Sequence, residues 1–189
     1  MGFIVFVMML FAVGGVAWYA VTIYNGLVAL RNDIDKAWAN IDVMLKQRHD
    51  ELTNLVEVCK GYMEYERETF VKLAEARSMW TQARTVDQKA HADRSATEAA
   101  SKLFAVAENY PELKANDNFM QLESRITALE SQIADRREFY NDSVNTFNTR
   151  MQQMPDAIIA NFMQLHLKPM FKADASERTP MAMTFAVGR

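Results

Sequence analysis

From Phe3 to Ile23 the chain carries no charged side chain, and a helical pattern begins directly behind this run. As a helix, 21 such residues rise about 30 Å, enough to span the hydrocarbon core of a bilayer. A cleaved signal peptide would have a basic leader, a shorter apolar stretch and a small-residue cleavage site. Only Met1 and Gly2 precede this run, and it ends among Trp18, Tyr19 and Tyr24 rather than small residues. Amphipathic aromatic rings sit at the headgroup level of a membrane. The expectation is an uncleaved single-pass anchor over residues 1–24, with the lipid bilayer as partner of residues 3–23.

Charge near the ends of the span sets the expected orientation. Arg31, Lys36, Lys46 and Arg48 follow the span, whereas only the α-amino group precedes it. The positive-inside rule then places the remaining chain in the cytoplasm. A single cysteine, Cys59, excludes an internal disulfide and suits a reducing compartment. Net charge is −3 with both signs mixed, which gives no basic footprint for nucleic acid.

Behind the anchor, apolar positions recur in alternating steps of three and four. The first series runs Leu27, Leu30, Ile34, Ala37, Ile41, Met44, Arg48, Leu52, Leu55, Cys59 and on through Tyr62, Glu66, Thr69, Leu73, Ala76 and Trp80. A period near 3.5 buries one narrow seam against other helices. Two steps of four, Met44 to Arg48 to Leu52, mark a stutter. With no proline between Tyr24 and Tyr110, one helix to about Arg84 is expected, bending if anywhere near that stutter. A second helix starts near Asp87 and runs along a small-residue seam, Ala92, Ala96, Ala99 and Leu103, until Tyr110-Pro111 stops it. A third opens at Asn116 or Asp117, follows Phe119, Leu122, Ile126, Leu129, Ile133, Arg136, Tyr140, Val144 and Phe147, and ends near Met154. Pro155 starts a short fourth through Ile158, Ile159 and Phe162. The fold class is therefore all-α: one transmembrane helix, then an antiparallel three- to four-helix bundle over residues 25–165. Residues 166–189 read as a loosely packed tail.

Three charged residues, Arg48, Glu66 and Arg136, fall on seam positions. A charge in a bundle core is costly unless paired, so these form a candidate charged core layer, either as register-fixing pairs or as a polar ligand pocket. Carboxylate-bridged metal sites in bundles need Glu three residues before His, but His49, His91 and His166 follow Lys46, Gln88 and Met163 at that spacing. No metal, cofactor or catalytic set is expected. Cys59 on the seam reads as a small buried hydrophobe. Gly14-Gly15 within the span permits close helix approach and hence self-association. Methionines cluster late in the chain, at Met151, Met154, Met163, Met170, Met181 and Met183, as gap-fillers or as an adaptable partner surface.

Certain words in this sequence are distinctive: Tyr24-Asn25-Gly26-Leu27-Val28, Ala37-Trp38-Ala39-Asn40-Ile41-Asp42 and Lys60-Gly61-Tyr62. The most specific is Ala105-Val106-Ala107-Glu108-Asn109-Tyr110-Pro111-Glu112-Leu113-Lys114, followed by Glu130, Ile133-Ala134, Arg137, Tyr140-Asn141-Asp142 and Asn148. Together they resemble the LemA family of bacterial membrane-anchored proteins, and the resemblance covers nearly the whole chain. It implies a membrane helix followed by an antiparallel bundle, and no established enzymatic activity. Two function classes follow: a non-catalytic membrane scaffold that binds partner proteins, or a ligand-binding module built on the charged layer.

Overall fold

The computed structural model describes residues 1–63 and 66–171. Six helices follow one another: α1 (Gly2–Lys60), α2 (Arg67–Gln82), α3 (Val86–Ala107), α4 (Pro111–Lys114), α5 (Asp117–Gln152) and α6 (Asp156–Phe162). The apolar run is the first part of α1, and no residue of its 18-residue window of mean hydropathy 2.3 is buried by the rest of the chain. The helix passes without a break from this segment into the bundle, with buried seam residues from Ile23 to Cys59.

α1 stops at Gly61, well past the stutter where a bend was expected, so one helix does not reach Arg84. Tyr62 turns outward and Met63 is fully buried in its place. Loss of the helical register after Lys60 explains the exchange, because it frees the chain to insert the next apolar side chain. α2 then returns antiparallel to α1, stacking Trp80 on His49. Thr85, not Asp87, caps α3: its hydroxyl accepts from Gln88 N–H while the Gln88 side chain accepts from Thr85 N–H, a complete capping box. The alanine seam of α3 packs against α2. Asn116 caps α5 by accepting from the N–H groups of Asn118 and Phe119.

α5 runs back along α1 in the most extensive helix pairing of the chain. The α2–α3 hairpin covers α1 only from about Trp38 outward, where Lys89 reaches Asp42 and Ala90 joins Ala37 and Ile41 in one apolar cluster. Nearer the apolar run, α1 and α5 are closed instead by α6 and by the segment after it. There Ala160 packs on Ile23 and Leu27. Two apolar side chains of α6, Ile158 and Phe162, face out. The C-terminus of α6 ends in a Schellman turn: Gln164 N–H donates to Asn161 C=O, Leu165 N–H donates to Ala160 C=O, and Gln164 takes a left-handed φ of 52°.

Residues 168–171 correct the expectation of a loose tail, since they form an extended strap held by two asparagines of α5. Asn148 donates from Nδ2 to Lys168 C=O and accepts Lys168 N–H at Oδ1, both at 2.9 Å. Asn141 treats Phe171 the same way, at 2.9 and 2.8 Å. Seven helical residues rise about 10.5 Å, and three extended residues span about 10 Å, so the two clamps match in length. Tyr140 adds a hydroxyl donation to Pro169 C=O at 2.9 Å, and Phe171 is buried beside Trp38. The rest of the expected tail, residues 172–189 with Met181 and Met183, lies outside the described residues. Replacing Asn141 or Asn148 with Ala should each lower unfolding free energy by about 1 kcal/mol, from two lost amide bonds partly offset by water. Equilibrium denaturation measures this, and unchanged midpoints would show that the strap contributes nothing to stability.

Candidate functional site

The bundle core is alanine- and leucine-rich except at one level, where the Arg48 guanidinium crosses from α1 to α3 and α5. Nη1 donates to Asp93 Oδ1 at 2.7 Å; Nη2 donates to Thr97 Oγ1 at 2.9 Å and to Glu130 Oε1 at 2.6 Å. Arg48 and Asp93 are 2% and 1% exposed, so this pair is removed from water. Arg137 of α5 closes the layer on the other oxygen of Asp93 and lies over the Phe171 ring, 4.5 Å from its centroid. Burial pulls the Arg48 pKa down, and the Glu130 carboxylate opposes that pull. Two cations and two anions neutralise one another, and the partly exposed Glu130 and Arg137 carry the network to the surface.

Of the three seam charges expected to form this layer, the structure places only Arg48 in it. Arg136 is exposed and Arg137 points inward instead. The inward positions of α5 run Leu129, Ile133, then half-buried Arg137 and Tyr140, so the two steps of four fall two turns earlier than the apolar pattern suggests. Glu66 sits at the N-terminus of α2, away from Arg48, where Tyr110 donates its hydroxyl at 3.3 Å. Asp93 and Glu130 went unnoticed. A carboxylate between Ala92 and Ala96 leaves no gap in an alanine seam, so periodicity gave no signal there. Glu130 and Arg137 do appear among the family words, which was the available clue.

Beside this layer runs a column of rings and cations. His49 stacks on Trp80 with centroids 4.9 Å apart. Lys89 lies between Trp80 and Trp38, 4.9 and 5.8 Å from their centroids, and also pairs with Asp42. Trp38 then meets Tyr140 at 5.7 Å. Burial, helped by the nearby positive charge of Arg48, holds the His49 pKa down to about 4; Asp50 opposes and Arg77 adds to the lowering. His49 Nε2 is buried without a hydrogen-bond partner.

His49 also borders an open cavity of about 570 Å³ between α1 and α2. These helices stand apart along it. Leu52, Leu73 and Ala96 form its floor, while Thr53, Glu57 and Arg77 lie on its rims. No carboxylate among the described residues pairs with Arg77. Cys59 lies buried nearby in the core with its thiol pKa pushed up to about 12 by desolvation. Among the described residues, no group of three or more His, Cys, Asp or Glu side chains is arranged to hold a metal ion.

The sequence model described as LemA family matches residues 37–185, which includes every member of the charged layer. The chain belongs to the LemA family. Protein LemA of Metamycoplasma hominis is 26% identical over 161 residues, covering 82% of this chain and 71% of that protein. Magnetosome proteins MamQ 2 and MamQ 1 of Paramagnetospirillum magneticum are each 23% identical over 158 residues, covering 70% of this chain. This LemA-family chain spans 58% of the length of those two magnetosome relatives.

Three variants probe the site. Arg48→Ala should cost about 3 kcal/mol of stability by stripping one of its two arginine partners from buried Asp93, and Arg48→Met with Asp93→Leu should recover most of that loss. A double variant no more stable than Arg48→Ala would show that the layer is not held by this pair. The depressed His49 pKa makes folding pH-dependent: the unfolded state takes up the proton near pH 6.5 and the folded state only near pH 4. Stability from neutral His49 is fully present above about pH 6.5 and falls between there and about pH 4, by on the order of 3 kcal/mol in all. His49→Phe keeps the stack on Trp80, and denaturation across this range should show a shallower acid slope than the parent protein.

Proposed function

We propose that this protein is a non-catalytic scaffold anchored in the cell membrane by residues 3–23, with its bundle in the cytoplasm and its α1–α2 groove binding a partner protein. The groove is the observation that carries this reading. An apolar floor flanked by Glu57 and Arg77 suits an amphipathic helix laid between two helices. Its partner would present apolar side chains to Leu52 and Leu73, an acidic group to Arg77 and a hydrogen-bonding group to His49. The continuous α1 supports the anchoring part, because it joins the membrane-length segment to the bundle as one rod. The cytoplasmic side rests on the basic residues that follow the span.

The charged layer supports the scaffold over a ligand-binding module. Arg48, Asp93, Glu130 and Arg137 pair with one another, so their charges balance within the layer and leave no net charge to recruit a ligand. A non-catalytic role agrees with the single thiol, which burial keeps protonated at ordinary pH.

One labelling experiment tests both parts, using buried Cys59 as a silent background. Val71→Cys places a thiol on the groove and Met120→Cys places one on exposed α5 surface. With a membrane-impermeant maleimide, Met120→Cys should react only after the cells are opened; reaction in intact cells would put the bundle outside. In native membranes Val71→Cys should react more slowly than Met120→Cys, and the two should become equal in purified protein. Equal rates in the membranes as well would mean an empty groove and would sink the scaffold reading.

A further inference from the structure

Three exposed apolar side chains gather at one end of the bundle: Met154 in the turn before α6, then Ile158 and Phe162 on α6 itself, at 77%, 60% and 86% exposure. Ile158 and Phe162 are four residues apart and share a helix face. Ala160, half a turn round, packs on Ile23 and Leu27 of α1. The exposed face therefore points away from α1. An apolar face like this is ordinarily covered by something.

The height of α6 along α1 identifies the cover. Ile23 closes the expected membrane span, and the first charged side chain of the whole chain is Arg31. α6 is thus held within one helical turn of the span, on the membrane side of the first charge. If residues 3–23 cross the bilayer, lipid surrounds α1 on all sides at this level, and the face turned away from α1 is the one that meets it. Charge agrees: between Pro155 and Leu167 the one acidic or basic side chain, apart from titratable His166, is Asp156. Asp156 is tied to Arg150, which donates from Nε at 2.6 Å. That arginine lies against Gly26, where a Cβ would come within 3.1 Å of Nη1, so α5 can bring its own end down to the same level.

We infer that α6 is a second membrane contact, an interfacial helix whose Met154, Ile158 and Phe162 enter the headgroup–acyl boundary of the bilayer that α1 spans. Helices of this kind lie at the interface with the apolar face buried about 5–10 Å. Phe is among the side chains favoured there. The inference rests on the anchoring reading above and adds to it. A single rod leaves the bundle free to tilt and spin about α1, whereas a second contact fixes its tilt and decides which flank of the bundle faces lipid.

Spin labelling of the full chain in phosphatidylcholine–phosphatidylglycerol vesicles tests this. Single cysteines replace Phe162, Leu10 and Met120 in turn; all three sites are exposed, and buried Cys59 stays unlabelled. Collision with oxygen reports apolar surroundings, and collision with a water-soluble nickel chelate reports water. Phe162→Cys should collide with nickel about threefold less than Met120→Cys while remaining open to oxygen, as expected of a shallow interfacial depth. Nickel access at 162 equal to that at 120, with Leu10→Cys still shielded, overturns the interfacial helix and leaves the anchor standing. Shielding of 162 from both reagents means that protein, not lipid, covers the face, and also overturns it. Nickel access at Leu10→Cys removes the anchor and this inference together.

Discussion

The uninterrupted backbone hydrogen-bond ladder of α1 governs this structure. With no helix break between the apolar run and Lys60, each residue has a fixed height above Ile23, about 1.5 Å per position. That puts Arg48 about 37 Å and Lys60 about 55 Å beyond it. Every other element is placed by where it meets this rod: α5 along its length, the α2–α3 hairpin on its outer half, and α6 with the strap on its inner half. A flexible joint at Tyr24 would have left the bundle intact but erased any relation between its surfaces and the membrane.

The outer half closes as a four-helix arrangement and needs its one polar layer. Arg48 is too long and too strongly charged to be buried without partners. Asp93 supplies a full charge and Thr97 an oxygen from α3, while Glu130 and Arg137 come from α5. Three helices are thereby fixed in register at one level. A slip by one turn of any of them would leave a charge facing leucines, at a cost larger than most single packing defects. The same burial depresses the pKa of the adjacent His49, so groove wall and core layer are electrostatically linked through one pair of neighbours on α1.

The sequence made most helix positions legible because the seam repeats strongly and the adjacent caps Asn116 and Asp117 mark the start of α5 to within one residue. It misplaced what depends on a choice between adjacent residues. Arg136 and Arg137 are chemically equivalent, and only the exact point of the stutter decides which turns inward. The end of α1 was missed because Gly61-Tyr62 interrupts the helix without a proline. Asp93 was missed because an alanine seam is wide enough to hide a carboxylate. The strap escaped notice for another reason: its apolar content is Phe171 and little else, and what holds it belongs to α5, seven residues apart on one helix face.

Those strap contacts have an evolutionary consequence. Asn141 and Asn148 bind main-chain N–H and C=O groups, which every residue but proline offers alike. The strap can therefore change its side chains almost freely between Lys168 and Phe171, provided its backbone stays extended and an apolar group fills the place beside Trp38. Among relatives as divergent as 22–26% identity, the mark of this lock would be a pair of asparagines spaced seven apart on the long returning helix, not any shared wording in the segment they hold.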